Sequence, residues 1–402
     1  VLLGALSAFG PLSMDLYLPA LPSLEAEFGA GQGAAQLTLT SVAVGLAAGQ
    51  LVAGPLSDRF GRRVPVLVGV AAYTAASVLC ALSPSVWVLV GVRLLQGLAG
   101  AAGIVLARAV VRDTTEGVAA ARAFALLASI GGAAPVLAPV LGGQLLRFTT
   151  WRGVFGVLAL IGVVLLVAAA RRLPETLPAD RRVRGGARAT LRNARELLGH
   201  RAFRTAVLAQ GLGFGALFTY ISTSSFVLQS GYGLTPVQFS LVFAGNGVGI
   251  VLAGQLSRAV VARTGSRALL RTGTALQLVG GGGLVVAALG GAGLPVVLPL
   301  VGLAVAATGL VLPNATALAM AGAARSAGTA SALVGAAQFA IAGVGAPLAG
   351  LGAAGTLLPM AAVMTGFAVL GTTAALRVPP PAAPGTAAPG DTSGEDRLPS
   401  AS

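Results

Sequence analysis

Charge is scarce in this chain, and lysine is absent. Of 402 residues, 9% are charged and 55% hydrophobic, against about a quarter charged in an average soluble domain. All 26 basic residues are arginine, which reads as coding bias rather than chemistry. A single cysteine, Cys80, excludes a disulfide framework and a thiolate metal site. With a single histidine, His200, a transition-metal site would have to be built from carboxylates. No cofactor is expected. Aromatics make up 5%, and the two tryptophans, Trp87 and Trp151, fall at the ends of apolar runs as interfacial anchors do.

Long apolar runs fill the space that charge leaves. Twelve predicted spans have approximate limits 1–22, 36–56, 64–83, 86–110, 122–146, 152–170, 203–230, 236–260, 267–289, 294–320, 327–352 and 355–376. Each is about the length a helix needs to cross a ~30 Å hydrocarbon core. The class is an all-α, polytopic membrane protein. A net charge of +14 would point to nucleic acid if the arginines shared one soluble face. Instead they alternate along the chain. Even-to-odd connections hold Arg59, Arg62 and Arg63; Arg108, Arg112 and Arg122; the group from Arg171 to Arg204; Arg258, Arg263, Arg267 and Arg271; and Arg325. The other connections hold only Arg147 and Arg152. By the positive-inside rule both termini are expected in the cytoplasm, with no nucleic-acid partner. The chain opens at Val1 inside an apolar segment, so residues before Val1 stay an open question. Asp15 and three nearby prolines argue against a cleaved signal peptide.

The expected organisation is two six-helix halves, 1–170 and 203–376, joined by a basic cytoplasmic linker, 171–202. A tail, 377–402, rich in Pro, Ala, Gly and Ser, is expected to be disordered. Leu191–Leu198 reads equally as a short surface helix or a solvated connector. Gly45, Gly49, Gly54, Leu56 and Ser57 recur 200 residues on as Gly245, Gly249, Gly254, Leu256 and Ser257. Pro139 and Gly142 recur 208 residues on as Pro347 and Gly350. The halves therefore read as parallel repeats with a site between them.

Four stretches carry chemistry. Gly54-Pro-Leu-Ser-Asp58-Arg59-Phe-Gly61-Arg62-Arg63 is a charged island between two spans; an ordinary basic hairpin explains its arginines but not Gly54, Asp58 and Gly61. Asp15, in Leu12-Ser-Met-Asp-Leu-Tyr-Leu-Pro-Ala-Leu-Pro22, is a carboxylate about seven residues, or ~10 Å, inside its span, too deep for a short side chain to reach the interface comfortably. Arg93, in Val92-Arg-Leu-Leu-Gln96-Gly97, lies at the same depth on the fourth span, so the two charges are expected to seek each other. Snorkelling is the alternative for Arg93. In the fifth span, Pro135, Pro139, Gly142 and Gly143 predict a kinked, closely packed pivot. The second half shows no charge within a span. Candidate substrate contacts there are Gln210, Phe214, Phe218, Tyr220, Asn246, Asn314 and Gln338, with Phe339 alongside, joined by Tyr17 and Gln96 of the first half. Such a pocket suits uncharged or amphipathic molecules.

These motifs resemble the Bcr/CflA-type drug-resistance transporters, twelve-helix drug:proton antiporters of the major facilitator superfamily, over residues 1–376. The resemblance implies Asp15 as the proton-carrying carboxylate and Arg93 as its charge partner. It also implies a latch of Asp58 and the loop arginines against the start of the eleventh helix, and export powered by the proton gradient. Some relatives carry a second acid earlier in the first helix, where this chain has Ser7, which disfavours multiply charged cationic cargo. The expected function is export of a small drug or metabolite across the cell membrane by a monomer. A proton-coupled importer of a sugar or metabolite, and a non-transporting membrane sensor or scaffold, are the alternatives. An enzyme is not expected.

Overall fold

A computed structural model describes residues 2–115, 137–178, 186–321, 327–350 and 355–379, with a few isolated positions between them. Pro135, Arg325 and the tail beyond 379 lie outside the described residues. All regular structure among the described residues is helical. The first half contributes α1 (Leu2–Asp15), α2 (Leu21–Phe28), α3 (Gly31–Phe60), α4 (Arg63–Ala81), α5 (Val86–Thr114), α6 (137–145) and α7 (Trp151–Arg172). A link helix α8 (Gly186–Gly199) leads into α9 (Arg201–Ser225), α10 (Pro236–Thr264), α11 (Ser266–Leu289), α12 (Leu294–Ala306), α13 (Thr308–Met320), α14 (Ala327–Gly350) and α15 (Leu357–Leu376). Ten described helical segments are long and apolar enough to cross a membrane. The two expected spans not among them are the first and the fifth, the latter described only in part.

The first span departs from expectation. It is not one helix over 1–22: α1 stops at Asp15, a 3-10 turn covers Leu18–Ala20, and α2 starts afresh at Leu21. Pro19 and Pro22 each occupy a first-turn position of the new segments. Proline supplies no N–H to the preceding turn and biases its predecessor away from helix, so the ladder cannot run through. The charged island also differs from a ten-residue loop. α3 continues through Pro55 to Phe60, leaving only Gly61 and Arg62 as the link to α4. Arg59 in the last turn complements the helix's negative end, which favours the extension. The linker contains a longer helix than Leu191–Leu198; Leu197 of α8 is buried beside Phe203, Ala206 and Val334.

Small residues set the close crossings. Gly97 of α5 lies against the Val42 backbone of α3, and a Cβ at Gly45 would stand 2.8 Å from Leu98 N. In the second half Gly309 meets the Ile250 carbonyl of α10 in the corresponding way. The same symmetry governs contact between halves. A Cβ at Gly143 of α6 would stand 3.1 Å from the Pro236 carbonyl oxygen of α10, and one at Gly350 of α14 would stand 3.1 Å from Gly33 Cα of α3. Each half thus presses a glycine of its fifth span onto the second span of the other. With no hydrophobic drive between helices in lipid, such close backbone approach supplies the packing.

Candidate functional site

The break after α1 organises the centre of the first half. Because α1 ends at Asp15, the Ser13 carbonyl belongs to the orphan acceptors of a helix end. Arg93 takes it: Nη1 donates to Ser13 O at 3.1 Å, and Nε donates to Thr38 O of α3 at 3.4 Å. Nη1 also donates to Gln96 Oε1 one turn along α5, and Gln96 Nε2 passes the chain on to Ser77 Oγ of α4 at 2.8 Å. The guanidinium carbon stands 4.6 Å from the Tyr17 ring centroid and 5.4 Å from that of Phe155 on α7. Tyr17 OH hydrogen-bonds Thr38 Oγ1. Arg93 has no exposed surface, so it does not snorkel, and its Nη2 has no hydrogen-bond partner among the described residues. One buried cation therefore ties α1, α3, α4, α5 and α7 together through carbonyls, amides and ring faces.

Asp15 is not part of that node. The expected Asp15–Arg93 ion pair does not form: Asp15 is 5% exposed, and no hydrogen bond or ion pair joins it to any described residue. Matching depth was the argument for pairing, but depth leaves azimuth free. Arg93 turns to the Ser13 and Thr38 carbonyls instead. What results is a buried carboxyl at a helix break, without a partner among the described residues. Next to it, the Leu16 carbonyl packs on Gly142 of α6. Pro139 and Gly143 belong to the same short helix, so three of the four pivot residues are described and two of them touch neighbouring spans.

The second-half candidates fall into separate groups. Gln210 Nε2 donates to Gln338 Oε1 at 3.0 Å, and Thr316 Oγ1 donates to Gln210 Oε1 at 2.8 Å, joining α9, α14 and α13. Phe214 lies 5.4 Å from Phe339 and 6.2 Å from Phe218, ring centre to ring centre. Asn246 Nδ2 donates to Tyr220 OH at 2.8 Å, and Tyr220 stacks on Phe243. Asn314 stands apart, its amide donating to Ser257 Oγ and Leu310 O. Gln96 and Tyr17 serve the Arg93 node. None of these residues lines either of the two cavities described below.

The latch also departs from expectation. Among the described residues, Asp58 has no hydrogen bond or ion pair with α14. Its Oδ1 accepts from Arg62 Nη1 at 2.7 Å, and Arg62 Nε donates to Asp113 Oδ2 of α5 at 2.8 Å. A nearby guanidinium in the same half satisfies the acid, and a cavity separates it from α14. Sequence reasoning missed Glu175, just past α7. Its carboxylate accepts from the backbone N–H of Arg62 (2.7 Å), Leu177 (3.0 Å) and Arg63 (3.3 Å). Burial opposes its charge, but those three donors and the Arg182 guanidinium outweigh it and hold the carboxyl below its usual range. The carboxylate occupies the space a side chain at Gly61 would need, and Gly61 also has φ +85°, so glycine is required there twice over. Arg63 donates to Ala170 O, Arg59 lies over the Phe60 ring, and Gly54 faces open space.

Two cavities lie at opposite ends. One, of about 480 Å³, opens at the arginine-rich end between the halves and is lined by Gln50, Asp58, Arg62 and Arg108 facing Thr329 and Ser331 of α14. The other, of about 440 Å³, is formed by Glu25, Phe226, Tyr232, Gly355 and Leu357. At that second end the halves meet: Gln229 Nε2 donates to Pro19 O at 3.2 Å, and Gly355 N donates to Gln32 Oε1 at 3.0 Å.

The profile of the Major Facilitator Superfamily matches residues 3–347. The chain is similar to the uncharacterized MFS-type transporter YdgK of Bacillus subtilis, 36% identical with 93% of each chain covered. It is also similar to a bicyclomycin resistance protein homolog of Haemophilus influenzae, 30% identical over 84% of this chain and 85% of the relative. A chloramphenicol resistance protein of Pseudomonas aeruginosa is 33% identical over 70% of this chain and 66% of the relative. Among solved structures, the xylose transporter XylE of E. coli superposes with a TM-score of 0.73 at 15% identity, covering 93% of this chain and 95% of that one. That likeness bears on the fold alone.

Proposed function

From the premise that this chain belongs to the Major Facilitator Superfamily, and so is a multi-pass membrane transporter rather than an enzyme, we propose that it is a proton-coupled exporter of small, mostly uncharged or amphipathic drugs or metabolites. It works in the cell membrane by alternating access, as a monomer with both termini in the cytoplasm. The names of two relatives, for bicyclomycin and chloramphenicol resistance, support the drug class.

The observation that carries the coupling is Asp15. A carboxyl inside an apolar bundle is costly to keep and marks an ion or proton path. No cation among the described residues touches it, and it sits where α1 breaks, beside the glycine-lined contact with α6. Movement of α6 against the break, about Pro139, Gly142 and Gly143, would change what Asp15 faces. Arg93 acts by position: it clamps the broken end so that the carboxyl is presented the same way in each cycle. Cargo then faces Phe214, Phe339 and the Gln210–Gln338 pair across the bundle. In this conformation the cytoplasmic side is the open one, and the outer end is sealed by the Gln229–Pro19 and Gly355–Gln32 contacts.

The test is drug efflux from energised cells with and without a protonophore. Asp15→Asn is expected to abolish gradient-driven efflux while leaving drug binding by purified protein in place. Efflux unchanged in Asp15→Asn removes the carboxyl from the mechanism. Drug accumulation into cells with no resistance phenotype points to an importer instead.

A further inference from the structure

The cavity at the arginine-rich end carries a charge that its described walls do not answer. Three arginines, Arg62, Arg108 and Arg112, face one acid, Asp58. Arg62 is paired with Asp58 and Asp113. Arg112 leans on Asp113 at 4.0 Å and is largely exposed. Arg108, projecting from α5, has no hydrogen bond, ion pair or ring contact with any described residue. Thr329 and Ser331 of α14, which carry hydroxyls, and the amide-bearing Gln50 share the lining. Leu51, Pro55, Val105 and Leu333 supply apolar surface. The guanidinium's five fork-shaped donors and neighbouring hydroxyl side chains form a recognition set for a carboxylate or phosphate. The apolar surface fits a greasy body attached to it, and the volume of about 480 Å³ lies in the range of small-molecule sites.

We propose that this cavity binds an amphiphilic anion, its acidic head on Arg108 and the α14 hydroxyls and its apolar body against Leu51 and Val105. The site is separate from the Asp15 centre and does not rest on the export reading. A free organic acid and the head of an anionic lipid share this chemistry.

The experiment measures equilibrium binding of 1-naphthoate and of its neutral isostere 1-naphthamide, by calorimetry, to the full chain in phosphatidylcholine nanodiscs. The proposal expects naphthoate to bind at least about tenfold tighter than naphthamide, and added salt to weaken naphthoate alone. Arg108→Gln is expected to cost naphthoate about tenfold or more while sparing naphthamide. Arg108→Lys keeps most of the affinity, and Ser331→Ala loses a few-fold. The last two variants keep the test alive if Arg108→Gln does not fold. Equal affinity for the two ligands in the wild type overturns the proposal, as does undiminished naphthoate binding by Arg108→Gln. Repeating the titration with phosphatidylglycerol in the disc separates the sources. Loss of naphthoate binding there supports the anion site and assigns it to a lipid head; unchanged binding supports it and assigns a free acid. Asp15→Asn is expected to bind naphthoate normally, and absence of drug export by the wild type with naphthoate binding intact counts only against the export reading.

Discussion

At the scale of single residues, Arg93 and Asp15 have parted roles. Arg93 holds structure: it satisfies three acceptors from α1, α3 and α5 and packs between two rings. Removing it orphans buried carbonyls, so Arg93→Gln is expected to lower stability by about 2–5 kcal/mol, read as a clear drop in melting temperature. Asp15→Asn removes no hydrogen bond or ion pair among the described residues and is expected to leave melting nearly unchanged. Because the two side chains do not touch, their effects on stability should add to within ~0.5 kcal/mol in the double variant. A larger coupling would mean that they form the pair this structure lacks. The misplaced pairing shows what sequence leaves open. Counting residues from a helix end gives depth, and both residues are indeed buried, but facing direction depends on where α1 breaks. Pro19 and Pro22 were in plain view; that they would end the helix at Asp15 rather than kink it depends on packing against α3 and α7.

At the scale of elements, two features set how the helices respond to conditions. Gln36 of α3 is 0% exposed at the seam with α14, and neither its amide nitrogen nor its oxygen has a partner among the described residues. An unsatisfied buried amide costs about 1–3 kcal/mol. Gln36→Leu, similar in volume, is therefore expected to raise the melting temperature and, by favouring the sealed seam, to slow turnover. Melting unchanged or lowered would mean that the amide is satisfied in this state. The Glu175 clamp behaves differently because its carboxyl is held below the usual carboxylate range. Its contribution is fully present above the pKa of the unfolded chain and disappears as pH falls through the lower, folded value. Protease cleavage near residues 171–182 should rise on acidification in the wild type. Glu175→Gln should be cleaved readily at neutral pH, with little further change in acid. The helices themselves were legible because long uncharged runs admit few alternatives in lipid. The clamp was not, because it joins Arg62 to a residue 113 positions away that no local pattern marks. The ends of α3 were also misjudged: charged residues end the hydrocarbon-spanning stretch without ending the helix.

At the scale of the whole molecule, pseudo-symmetry explains why one end is closed and the other holds a cavity between the halves. The Gly143–Pro236 and Gly350–Gly33 contacts are equivalents under the repeat, and both lie toward the end sealed by Gln229 and Gln32. The repeated Pro-Gly pairs at 139 and 347 had already tied these two helices together in the sequence. Which helix of the other half each would press upon became visible only in three dimensions. The central claim is that Asp15 exchanges a proton for cargo. Everted membrane vesicles, acidified inside by respiration and carrying a pH-sensitive dye, test it when chloramphenicol, bicyclomycin or another compound found by a resistance screen is added. The account expects drug addition to release protons from wild-type vesicles and not from Asp15→Asn vesicles that still bind the drug. Proton release at the wild-type rate from Asp15→Asn would contradict it.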